Sequence, residues 1–493
     1  MLLCNRRTLC LVAPALFAGS LWAQDAGLAL STSVGYNTQR LSLKLSPEQA
    51  KEAERLGREA TAATRAGNYG DALNDYAHGM AVMHNVEWTP EVELASALRG
   101  KLDHAMISPG KVTVSISPLY PTATAAAAKL NASIFLVATG KDAVEVAPAV
   151  PVNPASFPFT EQITVPASAA GNYVVEVRLA PVAGAVPDGL NGVFAKNLPI
   201  HVEALSADAD RLRDSIGKVG NKSNPALATA EYTLALYGMA DKGEVNLRGL
   251  DFKKEFATAQ AIVDSIQAGK DPFAGKHGDF RKAYLSGVDR TLQPYRLFIP
   301  EGYDGKPTPL VVALHGMGGD ENSMFDSYGK ELTVDAQKHG FMVVAPKGRA
   351  PASMYRGSAE QDVLDVLAEV ERDYKVDRSR VYLMGHSMGG YGTWSVAIAH
   401  PELFAALGPI SGGGDVNGMV KIKDVPQYVT HGNNDKTVNV ESSRSMVAAG
   451  KKVGAPITYV EVEGGSHVSV AQPAFAPMLD FFAKYSKTKT ASE

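Results

Sequence analysis

Four short strand-like runs each empty into a loop that carries glycine: Leu310-Val311-Val312-Ala313-Leu314, Val381-Tyr382-Leu383-Met384, Pro426-Gln427-Tyr428-Val429-Thr430 and Ile457-Thr458-Tyr459-Val460-Glu461-Val462. Runs of this length read as strands, and a helix-compatible segment, Tyr391 to Ala399, follows the second. The pattern predicts an α/β fold with a doubly wound, mostly parallel sheet. In such a sheet the loops at the carboxyl ends of the strands leave one edge, so polar residues far apart in sequence converge there.

The second run opens into Gly385-His386-Ser387-Met388-Gly389. A serine at a sharp strand-to-helix turn is forced into strained backbone angles, and its flanks must be nearly free of side chains; Gly385 and Gly389 meet that need. The helix that follows aims its free N–H groups and positive dipole end at the same point. A serine hydroxyl is a weak nucleophile at neutral pH and needs a histidine base and a carboxylate, here expected in the order Ser, Asp, His. Asp435 lies in His431-Gly432-Asn433-Asn434-Asp435, just past the third run, and His467 ends Glu463-Gly464-Gly465-Ser466-His467, just past the fourth. Asp415 and Asp424 are rivals for the carboxylate. Among 11 histidines, His467 alone combines a late position, a preceding strand and a glycine-rich loop. His386 is expected to pack beneath the turn, and His315 and His431 to brace their loops. Trp394, on the helix after the turn, reads as core. The first run leads to His315-Gly316-Met317-Gly318-Gly319, so the backbone N–H groups of Met317 and Met388 are the candidate oxyanion donors.

Taken in this order, Tyr295-Arg296-Leu297-Phe298-Ile299-Pro300, Leu314-His315-Gly316, Gly385-His386-Ser387-Met388-Gly389-Gly390, His431-Gly432-Asn433-Asn434-Asp435 and Gly464-Gly465-Ser466-His467 resemble an α/β-hydrolase. With Tyr391-Gly392-Thr393-Trp394, Pro401 to Ala406 and Pro409-Ile410-Ser411-Gly412-Gly413, residues 276 to 486 are similar to secreted esterases of the polyhydroxybutyrate depolymerase and feruloyl esterase type, and to the catalytic domain of prolyl oligopeptidase relatives. The resemblance implies a serine hydrolase with Ser387 as nucleophile, His467 as base and Asp435 as its orienting partner, and no metal or organic cofactor. Its substrate would be an ester, plant-polysaccharide-linked or polymeric. A peptidase of the prolyl oligopeptidase kind is the alternative, weakened because residues 24–270 show no internal period of propeller blades. A carbohydrate- or envelope-binding protein with a vestigial hydrolase domain is the reading from another class.

At 493 residues the chain is too long for one typical domain. Apolar content of 45% against 20% charged residues fits packed cores, and a net charge of −4 without a basic stripe excludes an electrostatic case for nucleic acid. Residues 1–23 read as a signal peptide: Arg6 and Arg7, an apolar core from Leu9 to Phe17, and a small-residue region ending at Ala23. This implies a secreted or periplasmic protein with no membrane span after cleavage. Both cysteines, Cys4 and Cys10, lie in that segment, which leaves the remainder without thiol chemistry or disulfides.

Between the leader and residue 276 the texture changes three times. Residues 24–108 are expected to be helical; a tetratricopeptide-like fragment, Ala66 to Ala72, occurs once, too few copies for a solenoid. Residues 109–205 alternate apolar and polar positions, as in Val112, Val114 and Ile116, and predict an immunoglobulin-like β-sandwich. Residues 206–275 predict a helical connector, and 276–488 the catalytic domain. The interval from Ser387 to Asp435 holds no long insertion, so any lid must come from elsewhere, with the sandwich or the helices as candidates.

Overall fold

A computed structural model describes residues 18–138, 141–220, 222–245, 250–349 and 352–487. The expected leader lies outside the described residues except for 18–23, which open a helix, Ala18–Ser42. Two compact units divide between Asn85 and Val86, upstream of the boundary at 108 that the sequence texture suggests.

The first unit is three helices, Ala18–Ser42, Pro47–Ala66 and Tyr69–Met83. The second starts on a capping box, in which Ser46 Oγ accepts from Gln49 N–H while the Gln49 side chain accepts from Ser46 N–H, and it stops at Gly67 in the left-handed region (φ 81°). The core forms around Tyr36, whose hydroxyl donates to Ala53 O (2.5 Å) and whose ring fills the space left by Gly79.

The second unit begins with the helix Pro90–Ala97 and two strands, Leu98–Leu102 and Met106–Ile107, where the sequence texture had suggested only helix. Arg99, Gly100 and Lys101 carry little strand propensity; pairing of Leu98–Leu102 with residues 114–118 makes the segment a strand. Residues 98–202 build a three-stranded sheet (Leu98–Leu102, Lys111–Pro118, Phe159–Thr164) and a five-stranded one. The latter runs in space Met106–Ile107, Ala195–Val202, Gly171–Pro181, Leu130–Ala138, Val144–Val152. Val144–Val152 was not anticipated, because Pro148 and Pro151 argue against a strand. It sits at the sheet edge, where a missing N–H is tolerated.

The main sheet has eight strands: β1 Gly278–Leu285, β2 Leu292–Ile299, β3 Thr308–Leu314, β4 Met342–Pro346, β5 Val376–His386, β6 Ala406–Ile410, β7 Gln427–Gly432 and β8 Ile457–Val462. Their spatial order is β1-β2-β4-β3-β5-β6-β7-β8, with β2 antiparallel to both neighbours and β3 to β8 mutually parallel. This is the α/β-hydrolase arrangement. Both faces are covered, which is why β3 is apolar from Pro309 onwards: Leu310, Val312 and Leu314 enter one core, Val311 and Ala313 the other.

The segment expected as a connector is part of that first core. Helices Ser206–Gly217, Leu227–Asp241 and Phe252–Gln267 contribute Leu212, Tyr232, Leu236, Phe256 and Val263 to the same cluster as Tyr295, Leu297 and Leu383. They also protect the sheet edge. Thr229 Oγ1 accepts from Ala283 N–H (3.1 Å) and donates to Ala283 O (3.5 Å), which occupies backbone groups that edge strand β1 would otherwise leave bare. Among the described residues no helix is long and apolar enough to cross a membrane.

Candidate active site

The carboxyl ends of β3, β5, β7 and β8 deliver four loops to one edge of the sheet. At the end of β5, Ser387 has φ 59° and ψ −117°, a conformation that costs a non-glycine residue about 1–3 kcal/mol and persists only where the surroundings enforce it. They do so here by close approach. A Cβ on Gly385 would stand 2.4 Å from Gly389 O, and one on Gly389 only 2.0 Å from Leu314 O, so neither position accepts a side chain. Ser387 N–H donates to Ile410 O (2.9 Å), and Tyr391 N–H donates to Ser387 O (3.1 Å), which ties the turn to β6 and to the helix Met388–Ala399.

His467, Asp435 and Ser387 are brought together. Ser387 Oγ–H donates to His467 Nε2 (2.8 Å), and His467 Nδ1–H donates to Asp435 Oδ2 (2.7 Å). The orientation of both bonds follows from the carboxylate, which can only accept. The rivals lie elsewhere: Asp415 is exposed and accepts from Asn417 N–H at the start of a short helix, and Asp424 is exposed.

Asp435 is fully enclosed at its side chain. Burial alone would raise its pKa, but hydrogen bonds from His431 and His467 and from Val438 N–H outweigh it and hold the carboxyl well below the usual range. Oδ1 also accepts from the N–H groups of Thr437 (2.8 Å) and Val438 (2.9 Å). His431 Nε2 lies 3.2 Å from Oδ2 and 3.0 Å from Val438 O, and its Nδ1 lies 2.7 Å from Ser443 Oγ. His431 thus reaches the carboxylate as well as bracing its loop, a contact that residue spacing does not reveal.

The loop after β3 runs alongside the serine: a Cβ on Gly316 would sit 3.4 Å from Ser387 Cβ. Neither Met317 N–H nor Met388 N–H donates to a protein acceptor among the described residues. His315 braces this loop, with Nδ1 2.7 Å from Gly316 O and Nε2 2.8 Å from Lys347 O. Trp394 is buried, its indole N–H donating to Gln427 Oε1 (2.9 Å). His386, beneath the turn, makes two polar contacts that were not foreseen: Nε2–H donates to His467 O (2.8 Å), and Tyr328 O–H donates to Nδ1 (2.8 Å). Among the described residues no group of three or more His, Cys, Asp or Glu converges as a metal site.

Residues 320–486 match the PET hydrolase-like family. The probable feruloyl esterase C of Aspergillus oryzae is 30% identical over 43% of this chain and 79% of its own length, and that of Aspergillus terreus is 30% identical over 38% and 67%. The bifunctional acetylxylan esterase/xylanase XynS20E of Neocallimastix patriciarum is 31% identical over 27% of this chain, which spans only a fifth of that protein's length (20%). Among solved structures, a ferulic acid esterase aligns over 42% of this chain and 98% of its own at 18% identity, with a TM-score of 0.37. By its sequence relatives and the fold of its main sheet, the chain belongs to the α/β-hydrolase esterases of the feruloyl esterase type.

Proposed function

We propose that the protein is a serine esterase that cleaves carboxylic esters through an acyl-enzyme on Ser387. The observation that carries this reading is the continuous chain from Ser387 Oγ to His467 (2.8 Å) and on to Asp435 (2.7 Å), set on a strained turn. Ser387 Oγ attacks the ester carbonyl as its proton passes to His467 Nε2. The N–H groups of Met317 and Met388 hold the oxyanion. As the C–O bond breaks, the imidazolium returns the proton to the departing alkoxide, and Asp435 stabilises the charge on the ring throughout. Water, deprotonated by His467, then attacks the acyl carbonyl; the acid leaves and the proton goes back to Ser387. No metal or organic cofactor is needed for these steps.

The substrates in this reading are esters of plant polysaccharide, aromatic acyl or acetyl, by analogy with the names of the relatives, with polymeric polyesters as the second group. The two-sheet segment is assigned to an immunoglobulin-like accessory sandwich, and the leader to export from the cytoplasm. Rates on methyl ferulate, acetylated xylan, polyhydroxybutyrate and a peptide amide test the assignment. Turnover of at least one ester well above the amide is expected, and turnover confined to the amide would overturn it.

A further inference from the structure

The loop that carries His467 contains Gly464 (φ 67°) and Gly465. Upstream of the histidine it is anchored by Gly464 N–H to Asn433 Oδ1 (2.8 Å), Gly465 N–H to Val462 O (3.1 Å) and Asn434 N–H to Gly465 O (3.1 Å), and around it by Ser466 N–H to Ser469 Oγ (2.9 Å) and Ala471 N–H to Val468 O (3.2 Å). None of these bonds uses the peptide groups of His467 itself. At His467 itself the carbonyl takes a hydrogen bond from His386 Nε2. His386 is bonded covalently to Ser387, and Ser387 Oγ–H bonds the ring of His467, so nucleophile and base are linked twice: through the side chains and through the backbone.

We propose that His386, oriented by Tyr328, is a positioning residue that holds the main chain of His467 and thereby sets the distance between Ser387 Oγ and the imidazole. The inference rests on the reading of Ser387 and His467 as nucleophile and base. A carbonyl only accepts, so Nε2 of His386 must carry a proton; the Tyr328 hydroxyl donates to the other nitrogen, which fixes one neutral tautomer. His386 is 4% exposed, and burial, aided by the neighbouring His467, pushes its pKa down to about 4, which keeps the ring neutral in ordinary buffers. Burial likewise pushes the Tyr328 hydroxyl up to about 12, so it remains a donor. Its lone pair occupied, Nδ1 of His386 cannot compete with His467 for the proton of the serine. Tyr328 is fixed by edge-on packing against His386 (5.8 Å, 88°) and Phe475 (5.3 Å, 84°).

The test compares full-length wild type, His386→Leu, His386→Gln and Tyr328→Phe on para-nitrophenyl acetate, with circular dichroism and melting to confirm the fold. Gln can carry an N–H near the position of Nε2, and Leu cannot. The expected result is a loss in kcat of about tenfold to a hundredfold for Leu with KM within twofold, since misplacement of about 1 Å can cost a hundredfold. Gln should recover most of the loss, and Tyr328→Phe, which leaves every ring in place, should lower kcat about threefold to tenfold. A folded Leu variant with wild-type kcat, or Gln no better than Leu, would overturn the proposal. If Leu fails to fold, an unchanged kcat in Tyr328→Phe overturns the role given to the hydroxyl and a reduced one supports it. A wild type that neither hydrolyses the ester nor reacts with a fluorophosphonate defeats the esterase reading itself, before any variant is compared.

Discussion

Asp435 Oδ2 faces two histidines at once, His467 Nδ1 at 2.7 Å and His431 Nε2 at 3.2 Å. A carboxylate held from both sides has one orientation, and it passes that orientation to His467. Removing the second contact should therefore loosen the first. His431→Leu is expected to reduce kcat by about tenfold to a hundredfold with little change in KM, as for other groups that orient a catalytic ligand. Steady-state rates on a soluble ester check this.

The same carboxylate ties stability to pH. Its pKa is lowered on folding, so its contribution is fully present above the unfolded value of about 4 and is lost as the pH falls through the lower folded value. Asp435→Asn should lower the unfolding midpoint at neutral pH, and the gap from wild type should narrow below pH ~4. Activity should fall about ten-thousand-fold, because an amide favours the wrong tautomer of the histidine. Melting curves across pH, run beside the rate assay, separate the two effects.

At Lys196 the charged form opposes folding instead of favouring it, although the slope with pH has the same sign. The residue is 8% exposed in strand Ala195–Val202 with its ammonium donating to Ala95 O (2.7 Å), and burial, with the charge of Arg99, pushes its pKa down to about 7. Between that value and the unfolded value of about 10.4, the unfolded chain binds more protons, so wild-type stability rises with pH in this window. Lys196→Met should raise the unfolding midpoint near pH ~6.5 by about 2–4 °C, a gain that shrinks towards pH ~10. Thermal scans at the two pH values check the sign.

The edge cover is testable without touching the chemistry. Thr229→Val leaves Ala283 N–H and C=O buried without their partner, at a cost of about 1–3 kcal/mol. Urea unfolding should show a lower midpoint, and esterase turnover at 25 °C, well below the melting range of a typical domain, should remain close to wild type.

The parts legible in the sequence are those written in short range. β3 and the Val381–Met384 part of β5 are buried apolar runs, β7 and the half-buried edge strand β8 are short strand-like segments, and the turns that follow all four carry glycine, so the residues at their ends stand out. Other features depend on partners far along the chain. Leu98–Leu102 is a strand only because residues 114–118 pair with it, and Val144–Val152 keeps its prolines because it lies at an edge. The apolar spacing of helices 206–267 shows that each has a buried face but not what that face meets; it is one core shared with the main sheet. Tyr328 lies 58 positions from His386, in a loop with no periodicity, and only folding brings its hydroxyl to the imidazole.

Fluorophosphonate labelling of the full-length protein, with the modified peptide located by mass spectrometry, decides whether Ser387 is the nucleophile. A single adduct on Ser387 that abolishes ester hydrolysis is expected, and no adduct on Ser387→Ala. Continued hydrolysis with Ser387 unmodified, or full turnover by Ser387→Ala, would rule Ser387 out.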